Sequence, residues 1–426
     1  MNLLVVGGGG REHTIIKKLK ENKAVETIYC LPGNGGIAAD AICVPEIGAK
    51  DIPAIVDFAK AHAIDFAVVA PDDPLALGCV DRLHEAGIPC FGPDAKAARI
   101  EASKVFSKNL MKKYGIPTAS YEVFNDPAKA MAYLEQTNTF PIVIKADGLA
   151  LGKGVLIPQN LEEARDAVKS IMEDKTFGDS GNEIVIEEFL TGPEVSVLAF
   201  TDGTAIAPMV SSMDHKRAGD GDTGLNTGGM GTIAPNPYYT AEVAKTCMET
   251  IFLPTLAAMR AEGCPFKGCL YFGLMITPNG PKVIEYNCRF GDPETQVVLP
   301  LLKTDLLTIM QAVENETLSE VHVEWADGAA ACVILASGGY PGSYAKGKAI
   351  TIPELPQDVI CYHAGDKLEE NKLVTNGGRV LGITATAPAL RQALEKAYAA
   401  ADTIEFEGKY MRHDIGQRAL AVLEEK

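Results

Sequence analysis

Val283-Ile284-Glu285-Tyr286-Asn287-Cys288-Arg289-Phe290-Gly291-Asp292-Pro293-Glu294 carries more chemistry than any other stretch of the chain. An apolar pair leads into a segment that reads as a strand, on which side chains two apart share a face. Glu285, Asn287 and Arg289 then line one side, and Cys288 falls on the opposite face, in the core. Glu285 and Asn287 offer two hard oxygen ligands, which suit a magnesium ion that also bridges nucleotide phosphates. Arg289 adds a cation, Gly291-Asp292-Pro293 a turn, and Asp292 and Glu294 two further carboxylates. An edge strand with a solvated charged turn would explain the polarity. It would not explain why acid, amide and cation occupy one face behind an apolar pair.

The rest of the chain bounds what such a site can serve. Its 426 residues suffice for several domains. Acidic residues outnumber basic ones by 56 to 39, a net charge of −17, which argues against a nucleic-acid partner. No apolar run reaches the roughly 20 residues of a spanning helix, so no membrane role is expected. The N-terminus enters a strand at once, with no visible signal peptide. The ten cysteines are scattered without a C-x-x-C pair, the pattern of reduced thiols in a cytoplasmic protein.

Three regions follow. Up to about residue 102, short apolar runs alternate with helical stretches. Leu3–Val6, Thr27–Cys30, Ala67–Ala70 and Pro89–Phe91 read as strands and Thr14–Lys20 as a helix, a doubly wound parallel α/β pattern. A mixed region to about Trp325 holds the strands Pro141–Lys145, Ile184–Glu188 and Val195–Phe200. From Ala329 a third region opens with the strand Ala330–Leu335 and ends in a helix.

Gly7-Gly8-Gly9-Gly10-Arg11-Glu12-His13 follows the first strand and opens a helix. Backbone N–H groups and the helix's positive end suit an anion there; glycines needed only for a tight turn are the alternative. G-x-G-x-x-G is not satisfied, and the next strand ends without an acid for a ribose hydroxyl, which disfavours a nicotinamide enzyme. A phosphate-bearing substrate fits better, with Arg11 as an added cation. Asn34 and Pro71-Asp72 lie at the ends of the following strands, the edge where such sheets bind ligands.

Lys145 ends an apolar strand and precedes the glycine-rich loop Asp147–Gly154. A lysine there can neutralise phosphates, and the loop can fold over a triphosphate, although it is not a Walker loop. Glu187-Glu188-Phe189-Leu190 offers a carboxylate, backbone groups and an apolar pair to an adenine edge, and Glu194 can accept from ribose hydroxyls. The segment Asp214–Gly231 reads as a long aperiodic loop wrapping the acceptor substrate. Within it His215 is read as surface-solvated, with an acid–base role as the alternative.

Taken in order, these pieces resemble the ATP-grasp ligases, and within them the phosphoribosylamine–glycine ligase family. Ser103-Lys104, Ile144–Val155, Glu187–Glu194, Asn226–Gly231, Arg289–Glu294, Ser337–Gly342, Thr375–Gly382 and Asp414–Gly416 extend the resemblance over nearly the whole chain. It implies an α/β protein, α+β in part: a phosphosugar-binding doubly wound domain (1–102), a central ATP-grasp fold (103–326) with a mobile lid at about 121–190, and a small α+β domain (327–426). It implies ATP with Mg2+ or Mn2+, the small substrates glycine and 5-phosphoribosylamine, and de novo purine synthesis; we expect a monomer. By motif position Lys104, Lys145 and Lys153 contact phosphates, and Glu187, Phe189, Leu190 and Glu194 hold adenosine. Glu285 and Asn287 bind the metal. Gly8, Gly9, Gly10, Arg11, Glu12, Asn34, Pro71 and Asp72 bind the sugar. Asp214, Arg289 and Asp292 line the glycine and transfer region, with Arg289, Asp214 and Lys145 catalytic. Ala70-Pro71-Asp72 departs from the Gly-Pro-Glu usual in the family, and Leu225 replaces a common proline.

Overall fold

A computed structural model describes residues 1–149 and 154–425; the expected phosphate contact Lys153 lies outside them. The N-terminal sheet is wholly parallel, in the spatial order Ile42–Cys43, Thr27–Pro32, Asn2–Gly7, Phe66–Val69, Cys90–Phe91. The first strand is buried on both faces because its residues alternate between two cores. Leu4 and Val6 pack with Ile55 and Leu83, whereas Leu3 and Val5 pack with Ile15, Ile16 and Leu19 of the first helix. Strand order reverses at Asn2–Gly7, so the glycine loop sits at the switch point where open α/β sheets receive ligands. The first helix runs Gly10–Leu19, opening four residues before the apolar stripe that betrays it.

The central region holds two four-stranded sheets. One joins Tyr121–Phe124, Ile184–Glu188, Ile142–Ala146 and Val155–Leu156. It closes over its own core, in which Leu134, Ile144, Val168 and Ile186 meet. The other aligns Ile206–Pro208, Glu194–Asp202, Lys267–Thr277 and Gly280–Asn287. Its Val197, Phe272 and Val283 merge with the apolar face of the N-terminal domain.

The last region does not stand apart. Its sheet runs Met213–Asp214, Gly231–Ala234, Ala329–Ala336, Arg379–Ala387, Val359–His363, drawing strands from both sides of residue 327. The segment read as an aperiodic loop therefore joins two strands of this sheet, which hold its end residues Asp214 and Gly231, and contains a hairpin, Arg217–Gly219 with Thr223–Asn226. Glycines hid them, since alternation of side chains cannot be read where side chains are missing. No helix among the described residues is long and apolar enough to cross a membrane.

Two buried histidines tie these modules together. His13 is 1% exposed; its Nε2 meets Asp40 Oδ2 at 2.9 Å and its Nδ1 accepts the His363 backbone N–H at 2.8 Å. His215 is equally buried, with Nδ1 3.0 Å from Gly231 O and Nε2 accepting the Gly416 N–H at 3.1 Å. The surface-solvated reading of His215 is thus corrected: both its nitrogens are spent on backbone, which leaves no role as acid or base. Burial pushes both histidines down to about 4. Because the unfolded chain binds their protons near pH 6.5 and the folded chain does not, stability falls as pH drops between those values. Each histidine contributes a slope approaching about 1.4 kcal/mol per pH unit. Urea unfolding from pH 7 to 5.5 is expected to show this decline, and His215→Gln to flatten it; an unaltered slope would refute the assignment.

Candidate functional site

The acidic strand owes its orientation to a bulge. Gly280–Asn287 runs antiparallel to Lys267–Thr277, and the register jumps between Leu274↔Val283 and Gly273↔Glu285, leaving Ile284 unpaired. Val283 and Tyr286 consequently both enter the core with Cys288, while Glu285 and Asn287 remain only partly covered. Glu285 lies 3.8 Å from Lys216 Nζ, and Lys216 lies 3.3 Å from Glu194. Burial opposes the charge of Glu285, but Lys216, Lys145 and Lys104 outweigh it and hold the carboxyl below its ordinary range. Glu194 raises Lys216 in turn, against burial. Asn287 donates through Nδ2 to Glu101 Oε1 and to Tyr286 O, each at 3.0 Å.

Opposite this strand stands a row of cations. Ser103 caps the helix Lys104–Tyr114, and Asp147 accepts both the Ser103 hydroxyl and the Val105 N–H. Lys104 Nζ donates to Gly148 O at 2.7 Å, and burial lowers its pKa despite Glu285. Lys145 donates to Ile284 O at 3.2 Å and lies 3.1 Å from Glu187 Oε1. The other oxygen of Glu187 lies 3.2 Å from Lys108, which burial pushes down to about 8. Glu187 is thus a buried bridge between two lysines; an acid this deep is retained when paired. Beyond it Phe189 is 41% exposed, Leu190 is half-buried and Glu194 is exposed. Exposed aromatic surface at a strand end suits a flat apolar ligand.

At the sheet switch point, a methyl on Gly8 would lie 2.4 Å from Gly33 O, so only glycine lets the two loops meet. Glu12 is buried, accepting the Gly9 N–H at 2.6 Å and pairing with Arg11 Nε at 2.7 Å. Its carboxylate is consumed by the helix start and does not face a ligand. Asn34 is likewise engaged within the protein. Its Nδ2 donates to Gly8 O, His363 O and Ala364 O, and its Oδ1 accepts from Ile37 N–H, which clamps the N-terminal loops to the C-terminal sheet. Arg11 also reaches Phe290 O at 3.2 Å. Gly9, Gly10, Pro71 and Asp72 lie around the same edge: the Arg11 N–H reaches Asp292 Oδ2 at 3.5 Å, and Asp72 acts on the charges of Glu101 and Arg289.

Between these groups carboxylates and guanidinium groups cluster. Arg289 Nη2 meets Glu101 Oε1 at 2.9 Å, and its buried Nε has no acceptor among the described residues. Burial, then repulsion from Glu294, raises Asp214 well above the carboxylate range. Glu294 accepts from Tyr271 at 3.1 Å. Gly229 has a φ of +116°, and a side chain there would meet Asp214 Oδ1 and Pro293 Cδ at 2.5 Å. Asp292 accepts from Gln296 and lies 3.6 Å from Arg379, which also donates to Gly228 O and Asp292 O at 2.8 Å.

Three family models match the chain in succession: "Phosphoribosylglycinamide synthetase, N domain" over residues 1–101, its "ATP-grasp (A) domain" over 102–295, and its "C domain" over 330–418. The chain belongs to the phosphoribosylglycinamide synthetase family. Among relatives of this family, a phosphoribosylamine–glycine ligase of Chlorobaculum tepidum is 48% identical over 425 residues, covering 99% of this chain and all of that protein. The "Bifunctional purine biosynthetic protein PUR2,5" of Pichia angusta is 49% identical over 98% of this chain, which spans 54% of that longer protein. A crystal structure of the Thermotoga maritima phosphoribosylamine–glycine ligase aligns over 97% of this chain and all of its own, with a TM-score of 0.86 at 36% identity. The biotin carboxylase domain of Hydrogenobacter thermophilus 2-oxoglutarate carboxylase, solved with MgADP and bicarbonate, aligns over 96% of this chain and 91% of its own with a TM-score of 0.73. At 17% identity it shares the ATP-grasp fold alone.

Within this synthetase fold, sequence reasoning missed Glu101, Lys108, Lys216 and Arg379. Lys108 had a signal, four residues after Lys104 on one helix face. Glu101 and Arg379 had none, because each reaches the site from a different module.

Proposed function

We propose that this chain joins glycine to 5-phosphoribosylamine with ATP, giving glycinamide ribonucleotide, ADP and phosphate in purine biosynthesis. One observation carries the reading: Glu285 lies 3.8 Å from Lys216 and within the field of Lys145 and Lys104, on the strand that leads through Asn287 to Arg289. Carboxylate and amine do not form an amide unaided at neutral pH, so the acid must first be activated. The lysines suit the triphosphate, and Phe189, Leu190 and Glu194 suit adenosine. Phosphoryl transfer to glycine's carboxylate gives glycyl phosphate, which the sugar amine attacks with release of phosphate. Arg289, with an unpaired donor, stabilises the acyl phosphate and its tetrahedral successor. Asp214 and Asp292 line the glycine end, and positioning supplies much of the remaining acceleration.

The donor set fits a divalent cation. Glu285 is held ionised, and Asn287 turns its Nδ2 away, which leaves Oδ1 for a metal. We infer Mg2+ or Mn2+, which when bound offsets charge on the phosphate oxygens. Ten cysteines without a disulfide suit the cytoplasm, and we expect a monomer.

The decisive experiment supplies purified protein with ATP, Mg2+, glycine and 5-phosphoribosylamine. ADP release should require both acceptors and yield glycinamide ribonucleotide; bicarbonate or formate in place of glycine should give none. ADP release with either of those, or none with all proposed reactants, defeats the proposal. Arg11→Ala is expected to raise the KM for phosphoribosylamine about tenfold, the loss of one charge-assisted contact, and to leave the KM for ATP unchanged. A shift in the ATP constant instead would mean the two subsites are exchanged.

A further inference from the structure

We propose that Glu101 is a positioning residue that fixes the amide of Asn287 and the guanidinium of Arg289 from outside the cleft. The inference rests on the reading of Asn287 as a metal ligand. Glu101 is the penultimate residue of the helix Ala95–Ala102 and is 8% exposed. Burial and the negative end of its own helix both oppose a charge there, so the position must be explained by what its carboxylate holds. It accepts three hydrogen bonds from three consecutive residues: Asn287 Nδ2 at 3.0 Å, the Cys288 N–H at 2.7 Å and Arg289 Nη2 at 2.9 Å.

The geometry has a directional consequence. An ionised carboxylate only accepts, so the amide can present only its NH2 edge to Glu101. The second N–H of that edge goes to Tyr286 O. Asn287 Oδ1 is thereby turned the other way, where no protein donor among the described residues meets it. A carboxamide at position 101 would break this logic. Asn287 and Arg289 share Oε1 while the Cys288 N–H takes Oε2, so the carboxamide's NH2 would face either the Cys288 backbone donor, which cannot turn aside, or Asn287 and Arg289 together. The cheapest response is a flip of Asn287 that points NH2, a group that cannot bind a cation, into the cleft. Groups that orient a metal ligand in this way typically change affinity by about 10- to 100-fold.

The test measures metal binding without turnover. Free Mn2+ is followed by electron paramagnetic resonance in the full-length protein with saturating ADP. Glu101→Gln is expected to weaken Mn2+ at least about tenfold, with metal-free ADP affinity unchanged by calorimetry. Asn287→Ala should weaken Mn2+ as well, and the double variant should bind no more weakly than Asn287→Ala alone, since both act through one amide. Unchanged Mn2+ affinity in Glu101→Gln, or additive losses in the double variant, overturns the inference. If Asn287→Ala itself binds Mn2+ normally, the metal-ligand reading beneath it has failed instead. Should Glu101→Gln not fold, Glu101→Asp asks the same question. Its shorter acid draws back from Asn287, and wild-type Mn2+ affinity in that variant is equally fatal.

Discussion

Lys145→Ala is expected to lower turnover by about three orders of magnitude, the scale seen when a preorganised charge donor is removed from a transition state. Lys145 is nearly buried, anchored to Ile284 O and Glu187, and so is aimed by two elements at once. A lysine held this way gives up little freedom when phosphates arrive, and water replaces it poorly. The fold should survive because Lys108 still pairs with Glu187, although breaking a buried pair will cost some stability. Calorimetry with ADP, steady-state rates and a thermal melt separate these effects. A folded Lys145→Ala protein within tenfold of wild-type turnover would remove Lys145 from the nucleotide site.

Glu285→Gln is expected to raise the Mg2+ concentration for half-maximal activity by about 10- to 100-fold, the penalty typical of a disturbed metal centre. Excess metal should recover part of the rate. The substitution is nearly isosteric, and the residue is 36% exposed, so packing is little disturbed. What changes is charge: three lysines that now hold the carboxyl ionised would face a neutral amide. Repulsion of the cation therefore adds to the loss of a ligand. Titrating Mg2+ at fixed ATP decides the matter, and an unchanged midpoint would exclude Glu285 as a ligand.

How much of this was legible beforehand depended on whether a signal was local. Four of the five strands of the parallel N-terminal sheet could be read because each is a short apolar run bounded by turns, whereas the two-residue edge strand Ile42–Cys43 is too short to show a pattern. Glu285 and Asn287 could be paired because they lie on one side of the bulge at Ile284; the bulge itself left no trace in the sequence, yet it decides that Val283 is core. His215 was misread as solvated, and the internal partners of Glu12, Asn34 and Glu187 went unseen, for a shared reason. Polar residues beside glycine turns and strand ends look free in sequence, whereas the chain consumes them in caps and clamps whose partners lie far away. Asn34 meets Ala364 and His215 meets Gly416, distances along the chain that no local pattern spans.

The seam between the central and terminal modules is a hydrogen-bonded ladder, Gly231–Ala234 against Ala329–Ala336, crossed again by Arg379. A hinge would let the parts drift; a ladder makes them one mechanical body. Its final quarter is not cargo to be exchanged. It is the back wall against which Asp214 and Asp292 are braced.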